Sequence, residues 1–248
     1  MKKSVIIVGG GFAGLELIKR IGNSPRYDTI LVDANNYNFF PPLIYQVSTG
    51  FMEPSAISYP FRKILRNLKN TRFRLGSLIK VVPSENKIIL SNGELHYDIL
   101  VMATGTESSF FGNKNIEKYS LPMKTISDAL TLGNTILTRL DRATRQDDQE
   151  ERKRLLTFVI AGAGPTGVEL SGILAEMKSS IIKKDYPELK ENDLGNIYLI
   201  DGQNTVLNTM SINSQTYTHA KLNELGVEIK LNCLVKDFKD DIVLLSNG

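Results

Sequence analysis

The sequence is poor in the residues that build thiol, metal and hydrolytic centres. Among its 248 residues there are one cysteine and two histidines. A single cysteine cannot close an internal disulfide, and no C-x-x-C pair exists to carry dithiol chemistry. The lone thiol fits a reducing compartment. Cys233 falls in Ile229–Leu234, which reads as a strand, so a buried, inert thiol is expected there. His96 and His219 stand alone, in strand-like and helix-like stretches, and read as structural or exposed. No Ser-His or Cys-His arrangement and no metal-ligand spacing is visible. Charge is nearly balanced, with 30 basic against 27 acidic residues and a net charge of +3. That is too little to argue for nucleic acid. No apolar run reaches the ~18 residues of a membrane-spanning helix. Lys2 and Lys3 precede a strand that feeds a glycine loop, which is not a signal peptide. Apolar and charged fractions of 42% and 23% are those of an ordinary globular chain, long enough for one or two domains.

What is present is one dinucleotide-binding signature written twice. Val5-Ile6-Ile7-Val8 runs into Gly9-Gly10-Gly11-Phe12-Ala13-Gly14, and Phe158-Val159-Ile160-Ala161 runs into Gly162-Ala163-Gly164-Pro165-Thr166-Gly167. Each G-x-G-x-x-G follows an apolar run and opens a helical pattern, Leu15–Ile21 in one copy and Val168–Ile182 in the other. This context separates a true fingerprint from a chance one. Each copy then has a second apolar run ending in an acid, Asp33 or Asp201. Further on, each has strand-like segments closing on Ser-Asn-Gly, at Gly93 and at Gly248. The same order at nearly the same spacing argues for two copies of one domain plan. After its Asn-Gly turn the first copy returns through Glu94–Gly105. The second stops at that turn, so a returning strand is expected beyond it and the chain is expected to be part of a longer protein. The mixed-charge stretch Thr138–Leu156 reads as a solvated helical connection between the halves.

In the first site Gly9 permits the tight turn out of the strand, Gly11 lets amides approach a pyrophosphate, and Gly14 lets the helix pack on the sheet. The helix N-terminus offers free N–H groups and partial positive charge. Phe12 and Ala13 complete the loop. Asp33 lies about 20 residues beyond Gly14, where a ribose-binding acid belongs, with Ala34 and Asn35 following it. Asn36–Gln46 crowds aromatics, two prolines and Gln46 together. It is either a loop packed on the core or an apolar wall against a flat ring system. In the second site Gly162, Gly164 and Gly167 repeat the logic, and Pro165 and Thr166 begin the helix, where a missing N–H costs little. Asp201 again ends a strand, although its offset exceeds the usual ~20 residues. No arginine follows it, so a 2′-phosphate would meet a carboxylate and no cation, which favours NADH over NADPH. Glu169 is either a capping acid in the first helical turn or a group facing the nicotinamide or a flavin.

These motifs, with Val47-Ser48-Thr49-Gly50, Leu121-Pro122-Met123-Lys124-Thr125 and Glu150–Thr157, resemble type II NADH dehydrogenase, the single-subunit NADH:quinone oxidoreductase. The resemblance covers essentially the whole chain. It implies an α/β fold of two Rossmann-like domains, each a parallel sheet with an antiparallel β-meander, the second truncated. Residues 1–125 would bind FAD, 126–156 connect, and 157–248 bind NADH. It further implies that Leu78 and Ala103-Thr104-Gly105 approach FAD, that Pro42 and Gln46 lie near the flavin ring, and that Glu169 is the catalytic acid on the nicotinamide and quinone side. Hydride would pass from NADH to FAD and electrons to a quinone. The resemblance places such a protein, as a homodimer, on the cytoplasmic face of the cell membrane through C-terminal segments not in this sequence. Without those segments, weak or no FAD binding and no quinone reduction are expected. A soluble reductase of a ferredoxin- or rubredoxin-type carrier and a non-catalytic NADH-sensing module are the alternatives.

Overall fold

The computed structural model describes residues 1–247. Gly248, the last residue of the repeated Ser-Asn-Gly, lies outside the described residues. The chain begins β1 (Lys3–Val8), α1 (Phe12–Ile21), β2 (Tyr27–Asp33) and β3 (Tyr37–Phe39), followed by α2 (Ile44–Ser48), α3 (Pro54–Ile57), β4 (Ser58–Pro60) and α4 (Phe61–Leu65). Next come β5 (Thr71–Leu75), β6 (Leu78–Val82), β7 (Lys87–Leu90), β8 (Gly93–His96) and β9 (Ile99–Met102). The helices α5 (Lys114–Tyr119), α6 (Ile126–Thr144) and α7 (Gln149–Leu155) lead to β10 (Phe158–Ala161), α8 (Pro165–Glu176) and a π-helical turn, Met177–Ile182. The chain closes with α9 (Lys183–Asp185), β11 (Ile197–Ile200), α10 (Ile212–Glu224), β12 (Val227–Lys230), β13 (Val235–Lys239) and β14 (Ile242–Leu245).

Two compact units result: 1–40 with 54–107, and 41–53 with 108–248. In the first, β5-β2-β1-β9 form a parallel sheet. The apolar, β-branched run of β1 explains its central place, because a parallel strand covered on both faces needs no polar side. Val5 to Val8 are buried in this way. Val5 and Ile7 face α1 through Leu15 and Ile18, with Phe61 and Leu65 of α4. Ile6 and Val8 face the antiparallel meander β6-β7-β8 through Ile88 and Leu90. The α1 helix ends on Lys19 and Arg20, which complement its dipole.

The second unit repeats the plan with β10-β11-β12 as a parallel sheet and β13-β14 as an antiparallel pair. Matching the copies pairs β1 with β10, β2 with β11 and β5 with β12. Among the described residues no strand takes the place of β9 beside β10. The long α6 starts at a reciprocal capping box between Thr125 and Asp128 and buries Ile126, Ala129, Leu132, Ile136, Leu140 and Ala143, three or four residues apart. Thr138–Leu156 therefore supplies core, through Leu140, Ala143, Leu155 and Leu156, as well as a charged face. The α2 helix packs against α6, where Gly133 leaves room for the Ser48 carbonyl; a Cβ at 133 would lie 2.9 Å from that oxygen.

One strand expectation is corrected. β12 stops at Lys230, and Leu231–Leu234 turns, with Asn232 in the left-handed region at φ +53°. Cys233 is nonetheless 1% exposed, and its thiol donates to Asn247 Oδ1 at 3.2 Å. The amide of Cys233 bonds the Asp201 carbonyl at 3.0 Å, so the residue is held by a backbone crossing rather than a strand ladder.

Among the described residues the buried charged group of this unit is Asp193, 4% exposed. Its Oδ2 accepts from the Lys190 amide at 2.8 Å and from Arg152 Nη1 at 3.1 Å. The backbone bond first, and the guanidinium with it, hold this carboxyl below its ordinary value of 3.8. A depressed folded pKa means stability that is present above about pH 4 and is lost as pH falls through the folded value. We expect Asp193→Ala to destabilise this unit by about 3 kcal/mol at neutral pH, because it strands a partly buried guanidinium. Urea titrations should show the variant's deficit shrinking as pH falls below about 4; a deficit that is constant with pH contradicts this account.

Candidate nucleotide-binding loops

Each glycine loop is built from a strand end, a helix start and the acid at the end of the neighbouring strand. In the first, Gly9 leaves β1 at φ +104°; in the second, Gly162 leaves β10 at φ +107°. Residues with a side chain rarely take this conformation. Gly9 N bonds Val32 O at 2.8 Å and Gly162 N bonds Ile200 O at 2.7 Å. Gly14 and Gly167 face the carbonyls of Gly9 and Gly162 so closely that a Cβ could not fit. Gly11 and Gly164 are extended N-caps without a side-chain cap, and a Cβ on either would meet nothing within 4 Å. Open space in front of an uncapped helix start suits an anionic group. Pro165 takes the first helical position.

The acids are placed alike. Asp33 Oδ2 accepts from the Gly10 amide at 2.7 Å and Oδ1 from the Asn35 amide at 2.8 Å. Asp201 Oδ2 accepts from the Ala163 amide at 2.6 Å and Oδ1 from the Gln203 amide at 2.8 Å. The long offset of Asp201 thus changes nothing at the site. The added residues are absorbed by the π-helical turn, α9 and the loop before β11. Each carboxylate keeps further lone pairs, so a ribose hydroxyl could be bound by the group that already fixes the loop.

The remaining candidates separate. In the first unit, Ala103 N bonds Val8 O at 2.7 Å, and the Ala103 carbonyl and Thr104 Cα crowd the place a Cβ on Gly9 would take. Ala103-Thr104-Gly105 therefore borders the first loop, and Gly105 is in the left-handed region at φ +74°. Leu78 opens β6, just beyond Gly76, whose amide bonds the Asp33 carbonyl at 2.9 Å. Pro42 and Gln46 belong to the second unit: Gln46 lies in α2, and its Nε2 donates to the Tyr45 hydroxyl at 3.2 Å. Tyr45 in turn packs on that unit's core. Glu169 is the fifth residue of α8, not in its first turn, which holds no acid, so the capping position expected from the sequence is corrected; its side chain is exposed, and partial burial alone raises its carboxyl above the ordinary value.

Two residues that shape the first loop were not among the candidates: Phe61, which no motif contains, and Asn38, inside the Asn36–Gln46 segment. The ring of Phe61 occupies the space a Cβ on Gly10 would need. Asn38 Nδ2 donates to the Gly10 carbonyl at 2.8 Å. Beside them the exposed rings of Phe12 and Phe40 meet edge to face, with centroids 5.7 Å apart. A small apolar depression, lined by Ile136, Phe158, Leu174 and Lys178 among others, includes no predicted nucleotide contact. It is a packing gap beneath α6. There Lys178 donates to Gly195 O at 2.7 Å, and burial lowers its ammonium pKa.

A doubled strand–glycine–helix loop, each closed by a strand-end carboxylate, defines a two-dinucleotide flavoprotein reductase fold. Residues 3–248 match the model of the pyridine nucleotide-disulphide oxidoreductase family, and the chain belongs to that family. It is 35% identical over 239 residues to the type II NADH:quinone oxidoreductase Ndh of Mycobacterium tuberculosis, covering 94% of this chain and 51% of that protein. It is 28% identical to an external alternative NAD(P)H-ubiquinone oxidoreductase, B4, of Arabidopsis thaliana, covering 94% of this chain and 42% of the relative. The structure of NDH2 from Plasmodium falciparum in complex with NADH superposes with a TM-score of 0.87 at 26% identity, over 96% of this chain and 50% of that one. A putidaredoxin reductase, at 19% identity and a TM-score of 0.72, shares the fold. The chain spans about half the length of the curated relatives it matches. Despite the family's name, this chain has one cysteine and so no disulphide pair of its own.

Proposed function

We propose that this chain is the nucleotide-binding part of a flavin-dependent NADH dehydrogenase whose electrons go to a quinone. The observation that carries the reading is the pair of loops with matching acids, in a chain that resembles named NADH:quinone oxidoreductases over almost its full length. Under this reading residues 1–125 hold FAD and 157–248 hold NADH. FAD, when bound, supplies hydride acceptance and onward electron transfer. The residues present fit that cofactor: an uncapped helix start for the pyrophosphate, open space at Gly11, and Asp33 at the ribose. This chain's part is to bind and orient both nucleotides. Gly9, Gly11, Phe12, Ala13, Gly14, Ala34, Asn35, Leu78 and Ala103–Gly105 frame the first, and Gly162, Gly164, Pro165, Thr166, Gly167 and Asp201 the second. We assign Glu169 to the nicotinamide side because it is the fifth residue of α8, past the first turn where an acid would serve the helix start, with its side chain exposed. Quinone choice, dimerisation and attachment to the cytoplasmic face of a membrane belong to the whole protein under the same proposal. Among the described residues no helix is long and apolar enough to cross a membrane.

Anaerobic mixing of the full-length protein with FAD and NADH tests the reading: bleaching of the flavin's visible absorption, restored by menadione, is the expected result. NADH binding with no flavin uptake and no oxidation would instead establish a sensing module. Cytochrome or ferredoxin reduction without quinone reduction by the full-length protein would establish a soluble reductase.

Coenzyme choice gives a second check. Asp201 both fixes the loop and faces the ribose position, so Asp201→Ser is expected to weaken NADH by about tenfold while leaving NADPH nearly unchanged. Isothermal titration with both coenzymes decides it. An equal loss for the two would mean that the carboxylate only holds the loop.

A further inference from the structure

We propose that Asn38 is a positioning residue for the first dinucleotide, aiming the Gly11 amide at the phosphates by pinning the peptide group before it. The inference rests on FAD being the ligand of this loop.

The Gly10–Gly11 peptide is trans and planar, so its C=O and N–H point in opposite directions. Asn38 Nδ2 holds the Gly10 carbonyl at 2.8 Å. That points the Gly11 N–H away from Asn38, in a loop open enough that a Cβ on Gly11 would meet nothing within 4 Å. The preceding peptide is fixed separately, through the Gly10 amide on Asp33. Two successive peptide groups are thus held before any ligand arrives, one by an acid and one by a side-chain amide. Asn38 itself is anchored on β3, opposite Tyr59 of β4.

The second copy supplies an independent observation. There the acid again holds the middle residue's amide, but no side chain equivalent to Asn38 is used. The Ala163 carbonyl accepts from the backbone amide of Leu207 at 2.8 Å. Leu207 reaches it in the left-handed conformation, φ +50°, which a leucine seldom adopts. Two unrelated chain segments bring a donor to the same carbonyl. A bond made by different means at the same place marks a requirement of the loop rather than an accident of packing.

The test uses Asn38→Asp, which keeps the side chain's shape and replaces the donor with a carboxylate facing a carbonyl. We expect FAD affinity, read by quenching of flavin fluorescence, to fall at least about tenfold while NADH affinity stays within about twofold. In the ligand-free protein, the Gly11 and Phe12 amide resonances should shift and broaden while those of Gly164 and Thr166 do not. Asn38→Ala should show the same pattern more weakly, since it removes the donor without adding repulsion. An unchanged loop spectrum, or FAD binding by Asn38→Asp within about twofold of the unmodified chain, overturns the proposal. If neither this chain nor the full-length protein takes up FAD, the cofactor reading fails, and the ligand-free spectra alone decide the role of Asn38.

Discussion

Gly9→Ala is expected to destroy the first loop, whereas Gly162→Ala should leave the second weakened but folded. Both glycines have nearly the same left-handed φ, +104° and +107°, so both substitutions carry backbone strain of about 1–3 kcal/mol. Their surroundings differ. A Cβ on Gly9 would run into the Ala103 carbonyl and lie 3.0 Å from Thr104 Cα, both backbone atoms that cannot swing aside. Overpacking of this kind adds about another 1–3 kcal/mol. A Cβ on Gly162 would meet nothing within 4 Å, because no described strand stands beside β10 as β9 stands beside β1. Urea unfolding should therefore rank Gly9→Ala well below Gly162→Ala. Titration should show FAD binding lost in the first and NADH binding reduced in the second. Equal destabilisation would mean that strain alone decides.

The second large effect concerns Phe61. This ring is 1% exposed, stacks on Phe73 with centroids 5.0 Å apart, and fills the floor beneath Gly10. Phe61→Ala should cost about 3–5 kcal/mol, the usual loss for emptying an aromatic site. Gly10→Ala should also be damaging, since its new methyl would enter the ring. In combination the two should be less harmful than their sum, by about 1–2 kcal/mol, because the vacated ring space accepts the methyl. A double-mutant cycle by chemical denaturation measures this directly; additive losses would place the clash elsewhere. The same contact explains a difference between the copies. The first loop reads Gly9-Gly10-Gly11, while the second reads Gly162-Ala163-Gly164, and Ala163 is accommodated at 2% exposure.

The repeat made much of the architecture readable. Glycines at fixed offsets after apolar runs, and acids at strand ends, follow from local rules, and the observed bonds of Asp33 and Asp201 reproduce one another. Cys233 was misplaced in a strand because Leu231–Leu234 is as apolar as β12, while the turn is set by Asn232 and by the backbone crossing to Asp201. Thr138–Leu156 was legible as a charged connection, but its buried side depends on which core it meets. Asn38 and Phe61 could not have been found from their own sequence context. One is an asparagine on a three-residue strand, and the other begins a five-residue helix. Their roles come from β3-β4 pairing and from the depth of the first sheet, which no local pattern encodes. A signal did exist: Gly10 stands where the other copy has Ala163, and an extra glycine implies something large beneath it.

The pinned peptides also bear on the tempo of binding. A loop that must be ordered by its ligand spends part of the contact energy on that ordering and closes slowly. Here the donors of both loops are oriented by Asp33 with Asn38, and by Asp201 with Leu207. Nucleotide capture should then be a single fast step in stopped-flow traces, with variants that loosen the pins adding a slower closing phase.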